Sequence, residues 1–280
     1  MQRTEEGQIG DDGYVLADSV TQIASIGAGK VVLCGSHGGG YSAICALAAG
    51  VDGIVFNDAS VGRDQAGIEG LSVLDRHGVP AATVGRTTAV IGTGMETAQG
   101  RLTYVNSVAA ELGIGPGMSA TEFVDLVVAA GPLAFPDLPL PTAEESRVEI
   151  LDSPVRVWAL DSVSLANSGD DGTVIVTGSH AQLLGGVPES ALRAEARLAV
   201  FNDAGGVIAP SRLDVLEARG IAAVAVAATS ARIGEAVSSY SEGVISTVNE
   251  IAKANGARGG MKVEDLIARV IENASEAKIR

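Results

Sequence analysis

Short apolar runs alternate along the chain with segments of helical periodicity. Runs such as Val31–Cys34 and Val174–Thr177 are apolar on both faces, which is typical of strands buried in a parallel sheet. Segments at 121–130 and 263–275 instead carry apolar residues at helical spacing. Because parallel strands need crossover connections, this pattern predicts an α/β fold of the doubly wound, Rossmann-like kind with mainly parallel sheets.

The same order of motifs occurs twice in the chain. GSH at 35–37 returns at 178–180, an offset of 143 residues, and VFNDA at 55–59 returns at 200–204, an offset of 145. Collinear matches of this kind indicate an internal repeat. We therefore predict two tandem-duplicated α/β units.

The repeats also suggest the domain organisation. We expect a first repeat at 1–133, a proline-rich linker at 134–150 and a second repeat at 151–280. Two similar units joined in this way are expected to be related by a pseudo-two-fold axis. Whether they share one continuous sheet is left open by the pattern.

Each copy is expected to alternate buried strands with helices. A helix should follow each GSH turn, and a capping box formed by Ser119 and Glu122 should begin the last helix of the first copy. The other elements expected in the two copies are strands at Tyr14–Ala17 and Val155–Leu160, helices at Gln65–Arg76 and Ser211–Arg219, strands at Ala81–Val84 and Ala222–Ala227, and one longer helix at 97–112 and 237–255.

Composition narrows the class of protein. The net charge of −15 argues against binding to nucleic acid or to an anionic membrane surface. Cys34 and Cys45 lie in apolar surroundings and are expected to be reduced core thiols. No apolar run is long enough for a membrane span, and no secretion signal is apparent. We expect a cytoplasmic protein that forms a homo-oligomer and uses no metal and no cofactor.

Ligand sites of open parallel sheets lie beyond the carboxyl ends of the strands. The most distinctive motifs fall at such ends, and the Arg232 guanidinium group could bind an anionic ligand. The glycine run could let the backbone approach a ligand, or it could only permit close helix–strand packing; Arg232 could equally form a surface ion pair. The residues predicted to bind the ligand are Gly38, Gly39, Gly40, Tyr41, Asn57, Asn202, Ser230 and Arg232.

Five side chains are candidates for catalysis. His37 and His180 occupy equivalent places, as do Asp58 and Asp203, and imidazole and carboxyl groups can transfer protons. Ser36 could act as a hydrogen-bond donor or a nucleophile. Each pair also has a structural interpretation, because the histidines could satisfy local backbone groups and the aspartates could form Asx turns or helix caps.

Differences between the two copies bear on the number of functional ligand sites. The first copy reads GSHGGGY and the second GSHAQLL, while Arg232 has Val90 as its counterpart. One composite site, or one working and one degenerate site, would account for this divergence.

The function that we expect is acid–base chemistry on a small, polar, anionic metabolite. Hydrolysis of an amide or cyclic amide is the first hypothesis for the reaction, and isomerase or lyase chemistry would use the same groups. A non-catalytic small-molecule-binding protein, and a structural subunit that has lost its site, are the remaining alternatives.

Overall fold

The computed structural model describes residues 8–9, 13–131, 138–152 and 154–279. Its contacts divide the chain into two compact units. The first comprises the chain up to Val61 together with Gln65–Glu144, and the second comprises Gly62–Asp64 together with the chain from Glu145 onwards. This division falls inside the predicted linker, whereas the boundary predicted after residue 133 lies outside the described residues.

Each unit contains one six-stranded sheet. The strands of the first are β1 (Gln8–Ile9), β2 (Tyr14–Ala17), β3 (Val31–His37), β4 (Gly53–Asn57), β5 (Ala81–Val84) and β6 (Leu102–Val105). Those of the second are β7 (Arg147–Leu151), β8 (Val157–Leu160), β9 (Val174–His180), β10 (Leu198–Asn202), β11 (Ala222–Val226) and β12 (Ile245–Val248). In both sheets the central strands are parallel and the two edge strands pair antiparallel. The predicted α/β class with mainly parallel sheets is therefore confirmed.

Helices accompany both sheets. The first unit contains α1 (Gly40–Ala49), α2 (Gly70–Arg76), α3 (Gly94–Gln99), α4 (Ser107–Glu111) and α5 (Ala120–Ala130). The second contains α6 (Arg212–Ala218), α7 (Ala236–Ser241), α8 (Glu250–Ala254) and α9 (Val263–Ile279). Ser119 and Glu122 form the predicted capping box at the start of α5. None of the helices within the described ranges combines the length and the apolar character that a bilayer span requires.

Alternate residues of the central strands of the first sheet pack on opposite faces, as strand geometry dictates. Val32 and Phe56 join α1 and α2 in one apolar cluster, while Leu33 and Val55 join α5 in the other. Helices thus cover both faces of the sheet, which explains why its central strands are apolar on both sides.

The strand order differs from that of a doubly wound sheet. In each unit the strands lie side by side in the order in which they occur in the chain. In the first unit, α1 and α2 connect the parallel strands on one face, and the other face is covered by helices that follow β5. Because the order never reverses, neither sheet contains the switch-point crevice that such folds use for ligands.

Three kinds of predicted element are wrong: the turns at the GSH motifs, the helix after GSH in the second copy, and the longer helix near the end of each copy. The GSH motifs are not turns, because β3 and β9 continue through them to His37 and His180 with a shift in register. No helix follows GSH in the second unit, where 181–197 contains only a short 3-10 turn. Left-handed backbone at Gly185 and Gly186, followed by Pro188, breaks the chain there.

The single longer helix predicted near the end of each copy is also wrong. It is replaced by a short helix, an antiparallel edge strand and a second short helix. The first helix ends at Gln99, because the backbone of Gly100 is extended (φ −73°, ψ 164°); a Cβ atom added at Gly100 would lie 2.7 Å from the Val84 Cβ atom, so the chain passes closely against β5. Asn106 then starts α4 by accepting the backbone N–H of Ala109, as Asn249 does at α8 for Ala252.

The glycine of each GSH motif has a packing role. A Cβ atom at Gly35 would lie 2.2 Å from the backbone nitrogen of Thr93, and one at Gly178 would lie 2.6 Å from that of Glu235. Gly92 also donates its N–H to the Gly35 carbonyl at 2.8 Å. Two backbone segments therefore touch where any side chain would separate them.

We expect Gly35→Ala to lower the free energy of unfolding by about 3 kcal/mol, because the added methyl group must push the segment at 92–93 away from β3. Gly115→Ala is a matched control, because a Cβ atom there has no neighbour within 4 Å. Urea unfolding of both variants tests this, and equal stabilities would contradict the packing role.

Candidate functional site

The serine of each GSH motif accepts a hydrogen bond from a backbone N–H earlier in the chain. The Ser36 Oγ atom accepts the N–H of Val20 at 2.9 Å, and Ser179 accepts the N–H of Val163 at 2.9 Å. The Ser36 hydroxyl can still donate its own proton. Its repeated contact is structural and needs no ligand.

The histidine of each motif accepts a hydrogen bond from the backbone two residues further on. His37 Nδ1 accepts the N–H of Gly39 at 3.1 Å, and His180 Nδ1 accepts that of Gln182 at 3.2 Å. A neutral imidazole that accepts at Nδ1 carries its proton on Nε2. The Nδ1 atoms of both histidines thus satisfy local backbone groups, which was the structural alternative to a catalytic role. His37 Nε2 is hydrogen-bonded to no residue that the structure describes.

Burial keeps His37 neutral. The residue is partly exposed, but the burial of its surroundings lowers its pKa from 6.5 to about 4, against the opposing charge of Glu69. At neutral pH the ring is therefore a hydrogen-bond donor through Nε2 rather than a general base.

The N–H groups of the glycine run have partners within the chain. Gly38 donates to the Asn57 carbonyl at 3.0 Å, Gly39 donates to His37, and Gly40 donates to the Glu69 carboxylate at 3.3 Å. A Cβ atom at Gly39 would lie 2.6 Å from the His37 ring. These contacts support close packing as the role of the run, and they place a carboxylate where an anion would otherwise bind.

The two asparagines join neighbouring strand ends. Asn57 donates to the Ala89 carbonyl at 3.2 Å and accepts the N–H of Ala59 at 2.9 Å. Asn202 makes the equivalent bonds with Ala231 and Ala204, and both asparagines are fully buried. Their shared role is to hold the loops beyond the sheet edge.

The two aspartates, although equivalent in sequence, have different partners. Asp58 Oδ1 accepts the N–H of Ser60 at 2.8 Å, and the Thr103 hydroxyl lies beside the same carboxyl group and lowers its pKa as a hydrogen-bond donor. Asp203 Oδ1 instead accepts the N–H of Ala228 at 2.7 Å. Burial raises the pKa of Asp58, opposed by these hydrogen bonds and by the charge of Arg86. A carboxyl group with a raised pKa suits proton transfer near neutral pH.

A left-handed backbone segment follows Asp58. The structure describes five non-glycine residues with left-handed φ values, namely Ala59 (50°), Ser60 (59°), Val61 (63°), Asp64 (52°) and Gln65 (61°). The second unit has Gly205 and Gly206 where the first has Ser60 and Val61. Left-handed backbone costs a residue with a side chain about 1–2 kcal/mol, and such strain is concentrated at functional sites.

The polar residues predicted from the second copy make internal contacts. Arg232 pairs with Glu235 at 2.7 Å and with Asp64 at 3.5 Å, so it forms the ion pair that was the alternative to a ligand contact. Ser230 donates to the Ala227 carbonyl and accepts the N–H of Val244. In the first unit, Tyr41 lies in the first turn of α1 and is partly exposed.

Arg212 distinguishes the surroundings of the two histidines. It is the first residue of α6, as Gly70 is of α2, and a Cβ atom at Gly70 would lie 2.4 Å from the Gly39 carbonyl. Arg212 is 1% exposed and donates to the carbonyls of His180 and Ala191 at 3.1 and 2.8 Å. Its side chain helps to bury His180.

Sequence reasoning missed Thr83, Thr103, Glu69 and Arg212. Thr83 is fully buried, and its hydroxyl lies 3.0 Å from that of Thr103. The available signal was the difference between the copies, because Ala225 stands where the first copy has Thr83.

Two further observations concern ligands. No group of three metal-binding side chains occurs in the part of the chain that the structure describes. A cleft of about 260 Å³ lies at the opposite, amino end of the first sheet, lined in part by Val31, Asp52 and Val127. It is remote in the fold from His37 and Asp58, which follow the carboxyl ends of β3 and β4.

Comparison of the chain with known protein families, with curated proteins and with solved structures returned no match. The class that the fold defines is an α/β protein.

We expect Val61→Gly to raise the free energy of unfolding by about 1 kcal/mol, because glycine adopts the left-handed backbone without strain. The reciprocal change, Gly206→Val, should lower it by about 1–2 kcal/mol. Urea unfolding of both variants checks the prediction, which fails if Val61→Gly is the less stable of the two.

We expect His37→Gln to flatten the loss of stability in mild acid. The unfolded wild type takes up a proton near pH 6.5, whereas folded His37 does so only near pH 4, so its stabilising contribution is complete above pH 6.5 and is lost as the pH falls toward 4. Unfolding free energies between pH 4.5 and 7 measure the slope. Identical slopes for variant and wild type would refute the lowered pKa.

Proposed function

We propose that the first unit carries a hydrolytic site in which Asp58 transfers protons and His37 donates a hydrogen bond, and that the protein hydrolyses an amide or cyclic amide of a small polar metabolite. The observation that carries this proposal is the state of His37: Nδ1 is occupied by the Gly39 N–H, and Nε2–H is left as a donor. His37 pairs with Asn57 across β3 and β4, and Asp58 is the next residue of the chain.

The two groups have complementary roles in this reaction. His37 Nε2–H donates to the carbonyl oxygen of the amide and stabilises the negative charge that develops there. Asp58 takes a proton from the attacking water and delivers it to the leaving nitrogen as the C–N bond breaks. Ser36 keeps a free hydroxyl proton and remains the alternative donor or nucleophile.

Several contacts favour the first unit over the second. His180 is 7% exposed beside the buried Arg212, and Asp203, which like Asp58 accepts a backbone N–H, has Ala225 in its unit at the place of Thr83. The Glu69 carboxylate beside Gly40 also disfavours an anionic group at that point. We therefore favour an uncharged amide over the anionic substrate expected from the sequence.

The duplication is part of the same proposal. Equivalent serines, histidines, asparagines and glycines make equivalent hydrogen bonds or close contacts in the two units. This supports descent from one tandem-duplicated unit. The pseudo-two-fold relation, the homo-oligomer and the cytoplasmic location stay predictions.

A non-catalytic binding protein is the second candidate. The observation in its favour is that every polar residue shared by the GSH and FND motifs has at least one intramolecular partner. Under this hypothesis the motifs hold the fold, and the first unit binds a ligand without turning it over.

The proposal predicts turnover that depends on the first unit. Ring opening of a cyclic imide or ureide yields a carboxylate and a neutral amide or urea nitrogen, so a proton is released, and a pH-indicator assay with succinimide, hydantoin and dihydrouracil serves as the screen. Asp58→Asn and His37→Ala should lower turnover about 100-fold or more, whereas the matched Asp203→Asn and His180→Ala variants should stay close to wild type.

Two outcomes would count against this assignment. Equal losses in the two sets of variants would indicate that both units contribute to catalysis. Turnover that survives both Asp58→Asn and His37→Ala would exclude the site, and ligand-induced thermal stabilisation without any turnover would favour the binding protein.

A further inference from the structure

Asp58 lies at the end of a short chain of hydroxyl groups. The Thr103 hydroxyl lies beside its carboxyl group and lowers its pKa as a hydrogen-bond donor. The Thr103 Oγ1 atom lies 3.0 Å from Thr83 Oγ1 and donates to the Thr83 carbonyl oxygen at 3.2 Å. Asp58 is 7% exposed and Thr83 is fully buried, whereas Thr103, on the edge strand β6, is partly exposed.

The backbone at Gly85 makes room for this network. A Cβ atom there would lie 2.8 Å from Thr103 Cγ2 and 3.0 Å from Asp58 Oδ2. Any side chain at this position would therefore disturb the contact between the threonine and the carboxyl group. The second unit has Ala227 at the equivalent place.

The second unit keeps only part of this arrangement. Ala225 replaces Thr83, whereas Ser246, which occupies the place of Thr103, donates to the Ala225 carbonyl at 3.2 Å, as Thr103 does to the Thr83 carbonyl. Both aspartates accept a backbone N–H, that of Ser60 at Asp58 and that of Ala228 at Asp203. The first unit therefore differs by the Thr83 hydroxyl group and by the glycine at position 85.

The chemistry of these partners differs in one respect. A backbone N–H can only donate, so it stabilises a carboxylate and offers nothing to the proton of a carboxylic acid. A hydroxyl group can donate to the carboxylate and accept from the acid. When Asp58 is ionised, Thr83 can donate to Thr103 and Thr103 to Asp58; when Asp58 is protonated, it can donate to Thr103, which turns its own proton to the Thr83 carbonyl.

We propose that Thr103 and Thr83 are positioning residues, whose reversible hydrogen bonds let Asp58 take up and release a proton without leaving a buried polar group unpaired. Gly85 is required because it permits the Asp58–Thr103 contact. Arg86 is the charged group that faces Asp58, and its positive charge lowers the pKa of Asp58, as the Thr103 hydroxyl does. This inference rests on the proposed acid–base role of Asp58.

The test measures the titration of Asp58 and turnover separately. Thr103→Val removes the hydroxyl group and approximately keeps the shape, Thr103→Ser restores a hydroxyl group, and Gly85→Ala displaces the contact. Ser246→Ala, at the matched place in the second unit, is the control. Carboxyl ¹³C shifts follow Asp58 in each folded variant, and the pH profile of turnover is recorded on the amide that the wild type hydrolyses best.

We expect Thr103→Val and Gly85→Ala to move the Asp58 titration to higher pH, because the ionised form loses a donor. Turnover should fall about 10-fold or more, and Thr103→Ser should restore both properties. An Asp58 titration that is unchanged in Thr103→Val would overturn the inference whatever the activity. A shifted titration with unchanged turnover would overturn the positioning role and count against Asp58 as the catalytic acid and base, whereas loss of activity in Asp58→Asn alone tests only the proposed function.

Discussion

The contact of Gly35 with the backbone at 92–93 sets the geometry of the carboxyl edge of the first sheet. There is no room for a Cβ atom at this point, so the last residues of β3 are held against the loop that follows β5. Ser36 and His37 are then directed to the N–H groups of Val20 and Gly39. The same close approach at Gly178 gives the second unit the same edge, which explains why GSH occurs in both.

Most residues that the units share therefore maintain the fold, and residues that they do not share distinguish the surroundings of His37 and Asp58 from those of His180 and Asp203. Shared residues such as Asn57 and Asn202 make the same buried contacts in both units. Around Asp58, in contrast, Thr83 and Gly85 have alanine counterparts in the second unit. The strained backbone of Ser60 and Val61 likewise has glycine counterparts. A position that keeps strain where glycine was available is consistent with a functional constraint.

Sequence patterns were most informative where local physics decides the outcome. The runs at Val31–Cys34 and Ala81–Val84 were identified as buried strands, because apolar residues on both faces leave few alternatives. The capping box of Ser119 depends on residues three positions apart and was also correct. The helix expected at 97–112 was wrong, because Gly100 passes against Val84, a neighbour that no local pattern reveals.

The sequence by itself determined the α/β class, the buried strands and the places where the two copies diverge. Only the tertiary structure decided the order of the strands, the neutral state of His37 and the partners of the two aspartates. Hydrophobic periodicity acts between residues a few positions apart, whereas the placement of Thr103 beside Asp58 depends on β4, β5 and β6 lying side by side. Neighbours that are distant in the chain thus give two equivalent aspartates different chemical surroundings.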